Sequence, residues 1–434
     1  MSGKTIVSIT LSNYLIDRSG TPKVVMSHQR MANHAGVHYL SLFPVGCSFV
    51  LSSLLSSKGF GVIFDGEFLG IFSIIDLKKM FYKLDSSGNG ISLVQIHHLL
   101  RHNIDSIKQV LLCFSNVPIH VYVHDYYLCC ASYNLLTQDG SFCGGKGLNP
   151  TACVDCAYYQ KSLLTERAIW NILYELIDRV TFIFPSDTVK RLFLNFHSDQ
   201  QARCKVIPHQ TFIGHYHGNL TKLSNNALIK VAYLGSQNKS KGWDVWCDLV
   251  KSYKGRYDFI VFNNQSSPNI DGIRRVHVEY SPKNPDAMIH ALRKESVDIA
   301  FLWSQCPETY SYTCMEAYAS NAFIVTCSQS GNIADFVENN HAGKVLSSVH
   351  ELRALFDSTF KLTCLINSYR ESSEGGPKYL VDNDKALFLS SMSSQNILTI
   401  KSNTAGERIV DALLKPLRIL YAIREKGKIV AANE

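Results

Sequence analysis

The chain has 434 residues, 46% of them hydrophobic and 18% charged, a balance that excludes a disordered or fibrous chain and suggests two or three globular domains. Its formal net charge of +7 comes with no dense basic run and no aromatic–basic interleaving, which speaks against nucleic acid as a partner. The N-terminus lacks a signal-peptide core, no stretch approaches the ~18 apolar residues of a membrane span, and 13 cysteines, an odd number, fit a reducing cytoplasm better than a disulfide framework.

The apolar run 5–10 reads as a strand, followed by a polar loop at 17–22 and a helix over 24–35. Residues 38–45 read as a second strand, and two short apolar runs follow at 61–64 and 68–74. The spacing predicts helices over 76–83, 92–100 and 105–114, which puts His97-His98 on a helix surface. Residues 119–123 form a buried strand that ends in His124-Asp125. A helix over 163–177, a strand over 180–184 and a short run at 204–207 complete a first alternating series.

Over 210–228 the composition turns polar and loses its period, which marks a linker. A second series follows, with strands at 229–234, 257–262, 276–280, 297–303 and 322–327 and helices at 243–251, 286–295, 311–320 and 349–360. Residues 367–400 follow no clean period, the serine-rich patches 52–57 and 390–394 read as loops or helix ends, and a last helix covers 405–424.

The stretch 300–337 carries the most chemistry. Between its two strands lie a polar elbow, 304–308, and the helix 311–320, which hold Glu308 and Glu316 as an E-x7-E pair. Strand, loop, helix, strand is the unit of a parallel sheet, whose ligands collect at the carboxyl ends of the strands. A helix starting near Ser311 offers free N–H groups and a positive dipole end to phosphate. Glu308 alone is equally a solvated loop acid, and Thr313-x-x-Glu316 a capping box. Pro307, Ala317 and the Ser330-Gly331 turn make the pattern more specific. Upstream, 229–244 reads IKVAYLGSQNKSKGWD: a strand, a glycine turn, and Lys241-Gly242 opening a helix. A lysine there is a compact charge suited to a leaving diphosphate.

These features together resemble the donor-binding signature of the retaining GT-B glycosyltransferases of the family 4-type group. The resemblance is specific over 229–346, moderate over 119–186 and thin in the first hundred residues. It implies an α/β fold of two doubly wound, Rossmann-like domains facing a cleft. Residues 1–209 would form the acceptor-side domain with a cysteine-rich insertion at 130–156, 210–228 the linker, 229–404 the donor domain, and 405–434 a C-terminal helix returning to the first domain. By the same resemblance Glu308 lies beside the donor sugar and His124 faces it from the first domain, the two forming the catalytic pair. Glu316 accepts from the ribose hydroxyls. Lys241 and the amides of Thr309, Tyr310 and Ser311 hold the diphosphate, and Gly20, in the loop 19–21, approaches it. Ser236 stands where many members carry an arginine, with Lys239 as a substitute.

The activity implied is retaining transfer of a sugar, without a catalytic metal, from a nucleotide-diphosphate sugar to a glycan or lipid-linked acceptor in bacterial surface polysaccharide assembly. The enzyme would be cytoplasmic, with peripheral contact at the inner face of the membrane. Two other classes stay open: a non-catalytic GT-B module binding a partner subunit, and a nucleotide-sugar epimerase. Nucleotide binding would separate the first from an enzyme, and donor turnover without acceptor the second.

Cys130, Cys143, Cys153 and Cys156 form a C-x12-C-x9-C-x2-C series with glycines between. Four thiolates can close a tetrahedral structural Zn²⁺ site; the alternative is a set of buried thiols. Two further motifs carry nothing. The loop from Asp85 imitates an EF-hand but has Ile96 at its twelfth position, and Asp382-Asn383-Asp384 reads as a solvated turn.

Overall fold

The computed structural model describes residues 3–45, 59–215, 222–224, 228–263, 270–281, 284–372, 376–387 and 405–433. The first eight strands are β1 (Thr5–Ile9), β2 (His38–Pro44), β3 (Gly59–Phe64), β4 (Glu67–Ser73), β5 (Ile91–Ile96), β6 (Ile119–Tyr122), β7 (Val180–Phe184) and β8 (Cys204–Val206). They form one sheet in the order β4-β3-β2-β1-β5-β6-β7-β8. From β2 to β8 neighbouring strands in this order run parallel, while β3 and β4 form an antiparallel ribbon at one edge. The ribbon turns on Asp65-Gly66, both at positive φ (50° and 89°), the type I′ sense that matches strand twist. Every residue of β1 and β5 is buried. Val7 and Ile9 enter one core and Ile6 another, so both faces of the sheet are covered, as a parallel sheet requires.

The remaining strands are β9 (Gln210–His215), β10 (Lys230–Leu234), β11 (Asp258–Asn263), β12 (Ile273–His277), β13 (Ile299–Leu302), β14 (Phe323–Cys327), β15 (Gly343–Leu346) and β16 (Lys378–Asp382). Six of them form an all-parallel sheet, β12-β11-β10-β13-β14-β15, again with a core on each face. The strand order reverses between β10 and β13, the switch point at which a doubly wound sheet opens a crevice. The helix Ala405–Asn433 packs on β4, and Asn13 donates to Glu425 at 3.3 Å, so the chain returns to the first sheet after building the second. Two doubly wound units and a returning helix are the fold class that the resemblance implies. No helix among the described residues is long and apolar enough to cross a membrane.

Several elements differ from the sequence reading. Residues 92–100 are not a helix: β5 fills Ile91–Ile96 at the centre of the first sheet. Leu93, Ile96 and Leu100 share a helical spacing, but a strand buried on both faces has no alternation to set against it. His97 and His98 therefore do not lie on a helix surface; they are 0% and 1% exposed at the end of β5. The linker is partly structured, because β9 occupies its first residues and pairs antiparallel with β16; its residues 216–221 and 225–227 lie outside the described set.

The helix expected at 24–35 is Gly20–His34, so Ser19 is its N-cap and Gly20-Thr21 its first turn rather than a loop. The strand expected at 276–280 is Ile273–His277, and the helix expected at 349–360 stops at Phe356 before a new one, Thr359–Glu371. Asp382 is no solvated turn: it closes β16 and accepts from Ser27 at 2.5 Å and Arg30 at 3.4 Å, tying that strand to the first helix. The serine patches 52–57 and 390–394 lie outside the described residues.

Candidate active site

The loops that leave β10 and β13, the two strands flanking the switch point, carry Lys241 and Glu308. Asn238 orders the first loop: its side chain accepts from the Lys241 N–H at 3.0 Å and from Ser240 at 2.8 Å, and donates to Ser236 Oγ at 2.9 Å. Gly242, at φ 76°, then starts the helix Trp243–Tyr253. A Cβ there would stand 2.2 Å from the Trp303 carbonyl oxygen, so only glycine lets the Lys241 turn press against the strand-end that leads to Glu308. Gly331, at φ 60°, does the same from the other side, since its Cβ would lie 2.6 Å from the Glu308 nitrogen. The Glu308 N–H donates to Ser330 O at 3.3 Å, and the Asn332 N–H to Glu308 O at 2.9 Å.

Held this way, Glu308 is 9% exposed, and its carboxylate accepts from Ser304 Oγ at 2.6 Å and pairs with the Lys241 ammonium. Burial, the largest single influence, works to lower the Lys241 pKa, but the Glu308 charge, the Cys306 sulfur and the hydrogen bond to Glu308 together outweigh it, and the lysine is held above its ordinary value.

The helix Tyr312–Ala319 begins behind Glu308. Its N-cap is Ser311, whose hydroxyl accepts from the Cys314 N–H at 3.2 Å. Thr313-x-x-Glu316 is therefore not the capping box, and Glu316 is free to reach into the cleft. It is 7% exposed and bonds Lys23 Nζ at 3.2 Å. Lys23 comes from the first domain, on the helix that Gly20 opens, with its ammonium 4.6 Å and 4.2 Å from the centres of the Tyr280 and Tyr312 rings.

The first domain closes on the same segment. Tyr126 donates to Pro307 O at 3.2 Å, Ser186 to Thr309 O at 2.8 Å, and Thr309 Oγ1 to the His124 carbonyl at 2.6 Å. His124 thus stands against the Glu308 loop. Around it lies a set of imidazoles: His97 Nδ1 at 2.9 Å from His124 Nε2, His209 at 5.2 Å between ring centres, and His28 at 5.2 Å from His97. His209 continues the array to Tyr310 at 4.8 Å. Burial first, then the neighbouring imidazoles His98 and His28, lower the His124 pKa to about 3. Burial and neighbouring histidines hold His97 and His209 well below the ordinary value. The wall is made of neutral rings.

The fold therefore brings Glu308, Thr309, Tyr310, Ser311, Glu316, Lys241 and His124 to one cleft, with Gly20 opening the helix that carries Lys23. Thr309 spends its hydroxyl on His124, and Tyr310 donates to Gln210 at 3.4 Å. Ser236 is tied to Asn238, and Lys239 sits in the single turn before Lys241. Sequence reasoning missed Lys23, His97, His98 and His209. Lys23 lies one turn into a helix that the sequence started too late. His97-His98 was visible only as a polar pair ending an apolar run.

Cys130, Cys143, Cys153 and Cys156 belong to the first-domain segment that follows His124. Burial pushes the Cys143 thiol up, and so do charges on Cys130, Cys153 and Cys156, while the Gly145 N–H opposes this. Cys130 receives the Ser132 N–H at 3.4 Å. The four cysteines are therefore neighbours, but no group of three or more His, Cys, Asp or Glu among the described residues is arranged to hold a metal ion.

No protein-family model matches the sequence, and comparison with curated proteins finds no match. Among solved structures the chain is similar to a glycosyltransferase from Rickettsia africae ESF-5, with a TM-score of 0.52 at 14% identity over 86% of this chain and 92% of that one. It is also similar to a sucrose-phosphate synthase from Thermosynechococcus elongatus, with a TM-score of 0.51 at 11% identity over 85% and 93%. At such identity the likeness is one of fold: the chain has the two-domain GT-B fold of glycosyltransferases.

Proposed function

We propose that this chain is a retaining glycosyltransferase that moves a sugar from a nucleotide-diphosphate sugar to a glycan or lipid-linked acceptor. The observation that carries the reading is the Lys241–Glu308 pair at the switch point, seated by two glycines that admit no side chain. As paired in the structure, the two charges neutralise each other. A donor diphosphate competes for Lys241, which then offsets charge on the leaving group and releases Glu308 toward the sugar. Glu316 takes the ribose hydroxyls once Lys23 yields. The needs of front-face attack are positional and electrostatic, and a clamp of this kind serves them without a strong base. No metal is assigned to the diphosphate.

The donor side is read as 229–404 and the acceptor side as 1–209, with 210–228 between them and 405–434 crossing back. A cavity of about 230 Å³ lies at the carboxyl ends of β1 and β2 under the C-terminal helix, lined among others by Phe43, Arg101, Arg424 and Lys428. Its lining joins apolar residues such as Leu11 and Ile16 to three cations and two acids, Asp17 and Glu425, a small positive excess that suits an anionic, partly apolar acceptor. A role in bacterial surface polysaccharide assembly, at the cytoplasmic face of a membrane, is consistent with that chemistry. The four cysteines are read as a structural zinc site outside the chemistry.

The test is a thermal-shift series of UDP, GDP, TDP, CDP and ADP on wild type and Glu316→Ala, because a ligand of the native state alone raises apparent stability. One nucleotide should stabilise wild type and lose its effect in the variant. If none stabilises folded wild type, the chain is a binding module instead. Retention is read separately from the anomeric configuration of the first product.

A further inference from the structure

His97 and His98, which follow β5, meet His124 and Asp125, which follow β6, one to one. His97 Nδ1 lies 2.9 Å from His124 Nε2, and His98 Nε2 lies 3.1 Å from Asp125 Oδ2. Parallel pairing sets this up: Ile96 is in register with Val121, so the two strand-ends leave the sheet side by side.

Two neutral imidazoles in contact hold one hydrogen between their facing nitrogens, and a third group must decide which ring carries it. Behind His97, Gln95 makes that choice. Its carbonyl oxygen accepts from the Tyr39 hydroxyl at 2.8 Å and faces His97 Nε2 at 3.4 Å, while its amide nitrogen donates to the Tyr122 hydroxyl at 3.0 Å. A carbonyl oxygen only accepts, so His97 Nε2 carries a hydrogen. Neutral His97 then has its lone pair on Nδ1, and the hydrogen in the 2.9 Å bond belongs to His124 Nε2. Tyr39, Gln95, His97 and Tyr122 are at most 1% exposed, so bulk water cannot substitute for any of these partners. The stacking of His97 on Tyr122, 4.4 Å apart and 10° from parallel, fixes the ring plane as well.

We propose that His97 is a positioning residue which, with Gln95, fixes His124 as the Nε2–H tautomer and so leaves Nδ1 as a hydrogen-bond acceptor for a hydroxyl of the donor sugar. The sugar hydroxyl rests on the transferase reading above; the tautomer does not. His124 in this state is no acid. It selects for a sugar that has a hydroxyl to donate, because a donor lacking it leaves the lone pair without a partner.

The experiment is long-range ¹H–¹⁵N correlation on full-length protein labelled at histidine, with the His124 signals assigned by their loss in His124→Gln. Wild type should show His124 as Nε2–H at neutral pH. His97→Phe keeps an aromatic ring without the acceptor and should convert His124 to a tautomer mixture. His97→Asn, whose side-chain oxygen stands near the lost Nδ1, should restore it. With a working donor, His97→Phe should lower kcat roughly tenfold with little change in KM, and His97→Asn should recover most of it. An Nδ1–H tautomer in wild type, or an unchanged Nε2–H tautomer in folded His97→Phe, overturns the proposal. If His97→Phe does not fold, wild type and His97→Asn still decide it. An Nε2–H tautomer in a protein that binds no nucleotide would uphold the wiring and remove the transferase reading.

Discussion

Glu308 accepts from Ser304 and carries Lys241 as its counter-ion while remaining almost wholly buried. A buried carboxylate with one cation beside it is costly to leave alone, so each partner of the pair depends on the other. Glu308→Gln keeps the side-chain shape and removes the charge. It should lower turnover by about 10²–10³-fold, the scale of one lost electrostatic contact in a transition state. Nucleotide-diphosphate binding should hold or tighten, because Lys241 no longer has a carboxylate competing with phosphate. Calorimetric titration beside a turnover assay checks both; wild-type turnover would remove Glu308 from the sugar site. The pair was legible in the sequence because its glycines were: Gly242 and Gly331 sit where any Cβ collides with Trp303 or Glu308. His97 was not legible, since its role lies in what Gln95 and His124 do on neighbouring strands.

At the scale of elements, local pattern located most of the second sheet because most of its strands, β10, β12, β13 and β14 among them, are followed by a helix. It failed at β5, which is buried on both sides and lacks alternation, and at β9 and β16, whose pairing joins residues far apart in sequence. That ribbon ends in Asp382, which binds Ser27 and Arg30 of the first helix. Asp382→Ala should therefore destabilise the protein by about 1.5–3 kcal/mol, the range for a hydrogen bond to a charged group. Nucleotide affinity should not change, because the donor loops remain intact. Denaturant unfolding measures the first and titration the second; an unchanged midpoint would make the contact incidental. The cysteine-rich segment carries its own prediction. Protein purified reduced and without chelator should contain about one zinc per chain, and Cys153→Ser should remove it and lower the melting temperature. Metal-free protein of unchanged stability would return the four residues to plain thiols.

The whole molecule carries an unusual number of histidines folded neutral. Burial lowers the pKa of His28, His102, His120 and His197 to about 4, and that of His124 to about 3. In the unfolded chain each titrates near 6.5. Between these values the unfolded state binds more protons than the native state, so stability is full above about pH 6.5 and falls as pH drops toward 4. Each histidine contributes at most about 1.4 kcal/mol per pH unit over that window. Even two acting independently would lose about 3 kcal/mol per unit, a large part of the roughly 5–15 kcal/mol that holds a domain folded. Ordinary carboxylates titrate about two units below histidine, so a loss already under way at pH 6 belongs to the imidazoles. Thermal melts in low-salt buffer should therefore show a steep fall in Tm between pH 7 and pH 5. A flat Tm across that range would mean that these rings reach water in the native state, and the neutral wall around His124 would go with them.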